Sequence, residues 1–247
     1  MNIVGRFSRP NRQPADTRPH AVIIGAGVGG LATGALLGAK GYRVTVLDPL
    51  DEPGGRAYAH RQDGFVFDAG PTIITAPWLF ENLWRDCGGR MSDDVELRPN
   101  APFYRVRFDD GTVFDYSGDR AAMEEQIARI EPRDVAGYRS FLDESRRIYE
   151  VAFEQLAHKP FHSLLFTAKT LARLVRLGGY RSVYSVVSKH FRNDKLMTLF
   201  SFHPLLIGGN PFSATSFYCL IAHLEGKYGV HHAIGGTLFM LEVPQFA

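Results

Sequence analysis

Four short clusters carry residue types that bind phosphate and sugar. Residues 25–30 read GAGVGG, with Gly25, Gly27 and Gly30 at the glycine positions of G-x-G-x-x-G and Gly29 between them. Asp48 closes the next apolar run, Gly54-Gly55-Arg56 follows it, and Gly70-Pro71 lies in the phrase GFVFDAGPT. In such a set the first glycine permits a tight turn and the second lets backbone approach a pyrophosphate. The third lets helix and strand pack closely. An acid at Asp48 would accept hydrogen bonds from a ribose. Two more glycines bring backbone near a ligand, and the Arg56 guanidinium is a planar, permanently charged fork suited to phosphate.

These clusters need elements to position them. Ala21–Ile24 is a short apolar run, read as a buried strand. Leu31–Lys40 carries Ala32, Ala35, Leu36 and Ala39 at helical spacing, with Gly41 at its end, and Val44–Leu47 is a second strand running into Asp48. A β-α-β unit of about 30 residues is the length this motif requires. The glycine pattern alone is weak, because glycine turns also close ordinary strand–helix corners. Strand, helix, second strand and terminal acid together specify a dinucleotide, with its phosphates at the helix N-terminus. In a nicotinamide dehydrogenase the acid alone commonly completes the adenosine end. Here Gly54-Gly55-Arg56 together with Asp48 looks like the extended adenosine-end fingerprint of flavoproteins with two dinucleotide-binding domains. With the Phe65/Phe67 alternation before Asp68, that resemblance favours FAD over NAD.

Bulk properties narrow the partners. The 247 residues are 45% hydrophobic and 22% charged with a net charge of +2, which gives no reason to expect nucleic acid. Cys87 and Cys219 are too few and too far apart for a disulfide framework, and read as reduced core residues. Residues 1–19 are polar with Arg6, Arg9, Arg12 and Arg18, and read as a flexible leader rather than a secretory signal. From Leu196 to Leu224 there is no charged residue, yet Pro204, Gly208, Gly209 and Pro211 interrupt it. It reads as two short buried elements rather than a membrane span. His158 and His162 have i, i+4 spacing, but Pro160 separates them, and no metal site or covalent nucleophile is assigned.

Downstream, residues 102–116 read as a hairpin, with Tyr104, Val106 and Phe108 alternating with Arg105 and Arg107 and a turn at Asp110-Gly111. Residues 119–131 make an amphipathic helix with Met123, Ile127 and Ile130 on one face. After Pro132 a longer helix aligns Val135, Tyr138, Leu142, Ser145, Tyr149, Ala152 and Leu156. The stretch 161–192 interleaves Leu164, Leu165, Phe166, Leu171, Leu174 and Val175 with Lys169, Arg173 and Arg176, and holds no Asp or Glu. Such a helix suits either a solvated cationic face or the headgroup layer of an anionic membrane.

GAGVGGLA, DEPGGRAYAH and FDAGPTIIT, continued by PFYRV, PRDVAGYRSFLDESR, YRSVYSVVSK, SFHPLLIGGNPFSATSFY and LEGKYGVHHAIGGT, resemble the bacterial phytoene desaturases of the amine-oxidase-like flavoproteins. The likeness covers roughly residues 20–237 and matches the N-terminal half of that pattern. It implies a Rossmann-like FAD/NAD(P)-binding β-α-β fold with an inserted α+β substrate domain, C-terminally truncated. The expected layout is a nucleotide-binding part over 20–100, a substrate and membrane-associated domain over 101–232, and a return to the nucleotide domain over 233–247.

The same resemblance implies FAD-dependent dehydrogenation of a linear C40 carotenoid, phytoene to neurosporene or lycopene. It also implies attachment by 161–192 to the cytoplasmic side of the inner membrane, from which such a substrate is drawn. Leu205 and Leu206 are expected in the wall of its tunnel. Lys169, Arg181 and His203 lie in the relevant region, and the spacing selects no catalytic acid or base among them. Two other readings stay open. One is a non-catalytic remnant or half of a split flavoprotein, associating with itself or with a complementary C-terminal chain. The other is a nicotinamide-dependent oxidoreductase.

Overall fold

A computed structural model describes residues 16–157, 159 and 163–237. Within them the chain forms two compact units. One comprises the described parts of residues 1–72, 79–96 and 235–247, and the other comprises residues 73–78 and 97–234. His158 and His162 lie outside the described residues, as do residues 1–15 of the leader.

The first unit opens with β1 (His20–Ile24), α1 (Val28–Ala39) and β2 (Arg43–Leu47). β1 and β2 pair in parallel with His20 opposite Arg43 and Ile24 opposite Leu47, the arrangement a crossover helix makes. β3 (Ala59–Gln62) and β4 (Phe65–Asp68) form an antiparallel hairpin, turned at Asp63-Gly64 where both residues take positive φ. α2 (Pro77–Asp86) brings Trp84, whose indole N–H donates to Asp94 on α3 (Met91–Asp94). Cys87 is only half-buried here, a correction to its reading as a core residue; the α2 helix ends at Asp86 and leaves it in the exit turn.

The second unit holds the main core. β5 (Leu97–Pro99) pairs with β8 (His231–Ala233), and β6 (Tyr104–Arg107) pairs with β7 (Val113–Tyr116) in the register Tyr104–Tyr116 and Val106–Phe114. The period of two turns Phe114 and Tyr116 inward while Arg105 and Asp115 pair on the other face at 2.6 Å. α4 (Arg120–Ile130) starts where the Asp119 carboxylate accepts from the N–H groups of Ala121 and Ala122, and it buries Met123 and Ile127.

α5 (Asp134–Tyr149) follows Pro132 and continues as a π-helical stretch, Glu150–Leu156. It buries Phe141 and Ile148 as well as Tyr138, Ser145 and Tyr149. The helices α6 (Leu164–Arg176), α7 (Val183–Val187), α8 (Asp194–Ser201) and α9 (Leu220–Tyr228) complete the unit. Phe114, Met123, Ile127, Phe141, Val186, Leu196, Leu199 and Phe200 lie in one buried cluster. Each fully buried side chain of this size contributes about 1.5–3 kcal/mol.

Two charged side chains are held inside by backbone and ring partners. Asp134 accepts from the N–H groups of Arg192 and Asn193 at 2.9–3.0 Å, at the start of α8. Glu225 is fully buried, accepting from the Tyr104 hydroxyl at 2.6 Å and lying 3.1 Å from His203 Nε2. A buried carboxylate is tolerable only with such a full set of partners.

The uncharged run 196–224 folds as the end of α8, a 3₁₀ turn over His203–Ile207, a loop, a 3₁₀ turn over Ser216–Cys219 and the start of α9. Leu205 and Leu206, read as part of a buried run, are 60% and 45% exposed. The 3₁₀ turn places His203 and Pro204 inward and the next residues outward. No helix among the described residues is long and apolar enough to cross a membrane.

Candidate functional site

The glycine-rich turn is built as its spacing requires. Gly25 sits at φ +105°, and its N–H donates to Leu47 O at 2.7 Å, tying the exit of β1 to the end of β2. A Cβ on Gly30 would stand 1.9 Å from Gly25 O, so only glycine allows α1 to approach the turn this closely. Gly27 caps α1 with no side-chain hydrogen bond, leaving the first N–H groups of the helix available to an anion. Gly29 lies in the first turn of α1 with nothing near its missing Cβ, so backbone there is open to a ligand.

The segment after β2 returns to this turn. Gly54 N–H donates to Ala26 O at 2.9 Å, and Gly27 and Gly54 form a parallel bridge. Gly55, at φ +58°, would place a Cβ 3.2 Å from Gly27 Cα. The second glycine pair is therefore packed on the first, backbone against backbone. Arg56 begins to turn away here with its side chain exposed, and its carbonyl oxygen lies 1.8 Å from where a Cβ on Gly70 would be. The Arg56 guanidinium makes no hydrogen bond or ion pair to the described residues, so it is available to an anion.

Asp48 joins the pieces. One carboxylate oxygen accepts from Ala26 N–H at 2.6 Å and the other from Leu50 N–H at 2.9 Å. These two donors, Ala26 foremost, hold its carboxyl below the usual carboxylate range. Asp48 is thus ionised at neutral pH, and each oxygen keeps a lone pair for a ribose hydroxyl. Four residues further along the chain Glu52 Oε2 is buried without a partner, an acceptor that no sequence motif marks.

Gly25, Gly27, Gly29, Gly30, Asp48, Gly54, Gly55 and Arg56 are brought together through these contacts. Gly70 joins them through Arg56, and Pro71 follows it, its carbonyl accepting from Thr237 Oγ1 at 2.5 Å. Asp68 also reaches this segment: it lies 3.0 Å from a Cβ position on Gly236 and accepts from Thr237 N–H at 3.4 Å. No local sequence signal joins Asp68 to Thr237.

His203, left unassigned among Lys169, Arg181 and His203, is 1% exposed and engaged by Glu225 in the second unit. Arg181 lies 3.5 Å from Glu144, and Lys169 is exposed on α6. No group of three or more metal-ligating side chains occurs among the described residues.

Comparison with known proteins decides the family. The model for flavin-containing amine oxidoreductases matches residues 28–241. The chain belongs to that family. Among curated relatives it is 45% identical over 228 residues to a neurosporene-forming phytoene desaturase of Cereibacter sphaeroides, covering 92% of this chain and 44% of that one. To the neurosporene-forming enzyme of Rhodobacter capsulatus it is 48% identical over 217 residues, covering 88% of this chain and 41% of that protein. A lycopene-forming phytoene desaturase of Pantoea ananas is 45% identical over 215 residues, with 87% and 44% covered.

The chain therefore matches less than half the length of these relatives, and its segment corresponds to their N-terminal half. Among solved structures, a putrescine oxidase superposes with a TM-score of 0.57 over 91% of this chain and 47% of that one, at 16% identity. At that identity the likeness speaks to the fold alone, a Rossmann-like FAD-binding fold.

The cofactor of this family member is FAD. The residues present fit its adenosine half: an uncapped helix N-terminus, glycines where backbone closes on backbone, an ionised acid, an orphaned buried acceptor and an unpaired guanidinium.

Proposed function

We propose that this chain contributes to the FAD-dependent dehydrogenation of a linear C40 carotenoid, phytoene to neurosporene or lycopene. The observation that carries this reading is the 43–48% identity to phytoene desaturases, whether neurosporene- or lycopene-forming, spread over nearly the whole chain. When bound, FAD supplies hydride acceptance from an allylic carbon. The chain's own residues do the holding. Gly25, Gly27, Gly29 and Gly30 admit the pyrophosphate to the N-terminus of α1, and Asp48 accepts from the ribose. Gly54, Gly55, Gly70 and Pro71 shape the wall beside it, and Arg56 offers its charge to the phosphate side. The division of labour follows the layout: residues 20–100 hold nucleotide and residues 101–232 meet substrate and lipid.

A membrane surface is the second part of the proposal. On α6 the apolar side chains Leu164, Leu171 and Val175 are exposed, Leu164 by 92%, next to exposed Lys169, Arg173 and Arg176. Leu206, Ile207, Phe212 and Tyr180 in the same unit are exposed as well. Apolar side chains flanked by cations are what a monotopic surface presents to anionic headgroups. Attachment would be peripheral, on the cytoplasmic face of the inner membrane. A complementary chain resembling the C-terminal half of the relatives, or a second copy, is included in the proposal as a partner.

The absorbance spectrum of the gently purified chain tests the reading, followed by FAD and NAD titration and then a phytoene–liposome assay with and without the complementary half. Stoichiometric flavin and coloured product in the reconstituted pair are expected. Flavin binding without any desaturated product would remove the substrate assignment and leave the cofactor assignment standing.

A further inference from the structure

The second unit contains a cavity of about 370 Å³ that shares no lining residue with the dinucleotide cradle. Two aromatic residues line it, Tyr116 at the close of β7 and Tyr138 on α5. Both are more than nine-tenths buried, 3% and 5% exposed, and neither hydroxyl hydrogen-bonds to any described residue. A hydroxyl without a protein partner on a buried ring that lines a cavity is a donor available to a ligand or water. Burial pushes the Tyr138 hydroxyl up to about 12 and that of Tyr116 well above its ordinary value, so both keep their protons.

The walls are cationic. Arg120, Arg139, Arg146 and Lys227 line the cavity against a single carboxylate, Asp143. Their present partners are the half-buried Glu124 for Arg120 and Arg139, bidentate to the latter, and exposed carboxylates for the others: Asp143 and Glu150 for Arg146, Glu154 for Lys227. The exposed pairs of Arg146 and Lys227 are worth about 0–1 kcal/mol, so these two cations can turn to a better anion at little cost. A carboxylate ligand, with one charge and two oxygens, would leave most of this donor set idle. A phosphoryl group, with more oxygens and more charge, matches both the guanidinium forks and the hydroxyls. The volume falls within the range of about 300–1,000 Å³ that small-ligand sites occupy.

We propose that this cavity binds a phosphoryl anion, as free diphosphate or as the phosphomonoester headgroup of a lipid. The Tyr116 and Tyr138 hydroxyls donate to its oxygens, while Arg120, Arg139, Arg146 and Lys227 neutralise its charge. The site is independent of the desaturase reading, since no residue of the cradle takes part.

The test uses calorimetric titration of the full chain with sodium diphosphate at low ionic strength, with sodium acetate as control. In parallel, phosphatidylcholine vesicles doped with phosphatidic acid are compared with vesicles of equal charge doped with phosphatidylserine. Tyr138→Phe removes one donor and keeps the ring, which packs on Phe200 at 5.3 Å between centroids. Its expected effect is about a tenfold weaker diphosphate affinity, the worth of a hydrogen bond to a charged group. Arg146→Gln, at an exposed position, should weaken binding comparably and carries the test if the first variant fails to fold. Saturable diphosphate uptake lost in both variants supports a free anion. A preference for phosphatidic acid lost in both variants, without uptake of free diphosphate, supports the lipid headgroup. Absence of both uptake and preference, or uptake that both variants leave unchanged, overturns the proposal.

Discussion

The two units of this chain are held together by different means. In the first, backbone closes on backbone: Gly30 on Gly25, Gly55 on Gly27, Gly70 on Arg56. Its strands remain uncovered, with Ile24 89% exposed and Val22, Leu47, Phe65, Val66 and Phe67 also at the surface. No further strand pairs with β1 or β2 among the described residues. The second unit is held by side chains, through one aromatic-rich core and buried polar partners. A nucleotide cradle can thus be specified by local turns before its sheet is buried, whereas a core needs residues far apart in the chain.

That contrast can be broken by substitution. Glu225→Ala strands the Tyr104 hydroxyl and His203 in the core, and should cost about 3–5 kcal/mol of unfolding free energy in urea, with FAD affinity unchanged. An equal loss of FAD affinity would show that the units do not separate in this way. Gly30→Ala adds one carbon in the cradle and should weaken FAD binding on the order of a hundredfold, read by flavin fluorescence, while the denaturation of the core stays in place. Asp48→Asn keeps the shape and removes the charge. FAD affinity should fall about tenfold, and a result indistinguishable from wild type would deny Asp48 its ribose.

The smallest effect concerns Glu144, held below its ordinary 4.5 first by the hydrogen bond to His190, with the charges of His190, Arg181 and Lys189 assisting. Because its folded pKa is depressed, the unfolded chain binds more protons in that window. Its stabilisation is present above 4.5 and is lost as pH falls through the folded value. Glu144→Gln should cost about 1 kcal/mol at pH 7, and the difference from wild type should vanish on acidification. A difference that persists at the acid end would assign the loss to packing instead.

What the sequence disclosed follows the same division. The β-α-β unit, the glycine positions and Asp48 were legible because each depends on neighbours within one turn or one crossover. The hairpin from Tyr104 to Tyr116 was legible for the same reason. The Tyr104–Glu225 bond spans 121 residues and the Asp68–Thr237 contact spans 169, and no periodicity encodes either. Phe141 and Ile148 were missed on α5 because its buried face is wider than a single stripe. The exposure of Leu205 and Leu206 was not legible because an apolar run ordinarily signals burial, and a short 3₁₀ turn there divides inward from outward residues.

Asp134, at the start of α5 and fastened to the backbone of Arg192 and Asn193, closes a loop of 58 residues that runs through α5, α6 and α7. Loop-closure entropy grows slowly, by about 0.6 kcal/mol for each doubling of length. Much of that loop lies in the core, through Tyr138, Phe141 and Ile148 of α5 and Val183, Val186 and Val187 of α7, so tolerance to change is confined to the exposed positions of α6 between them. The exposed positions of α6 can therefore change while the fold that carries them stays the same.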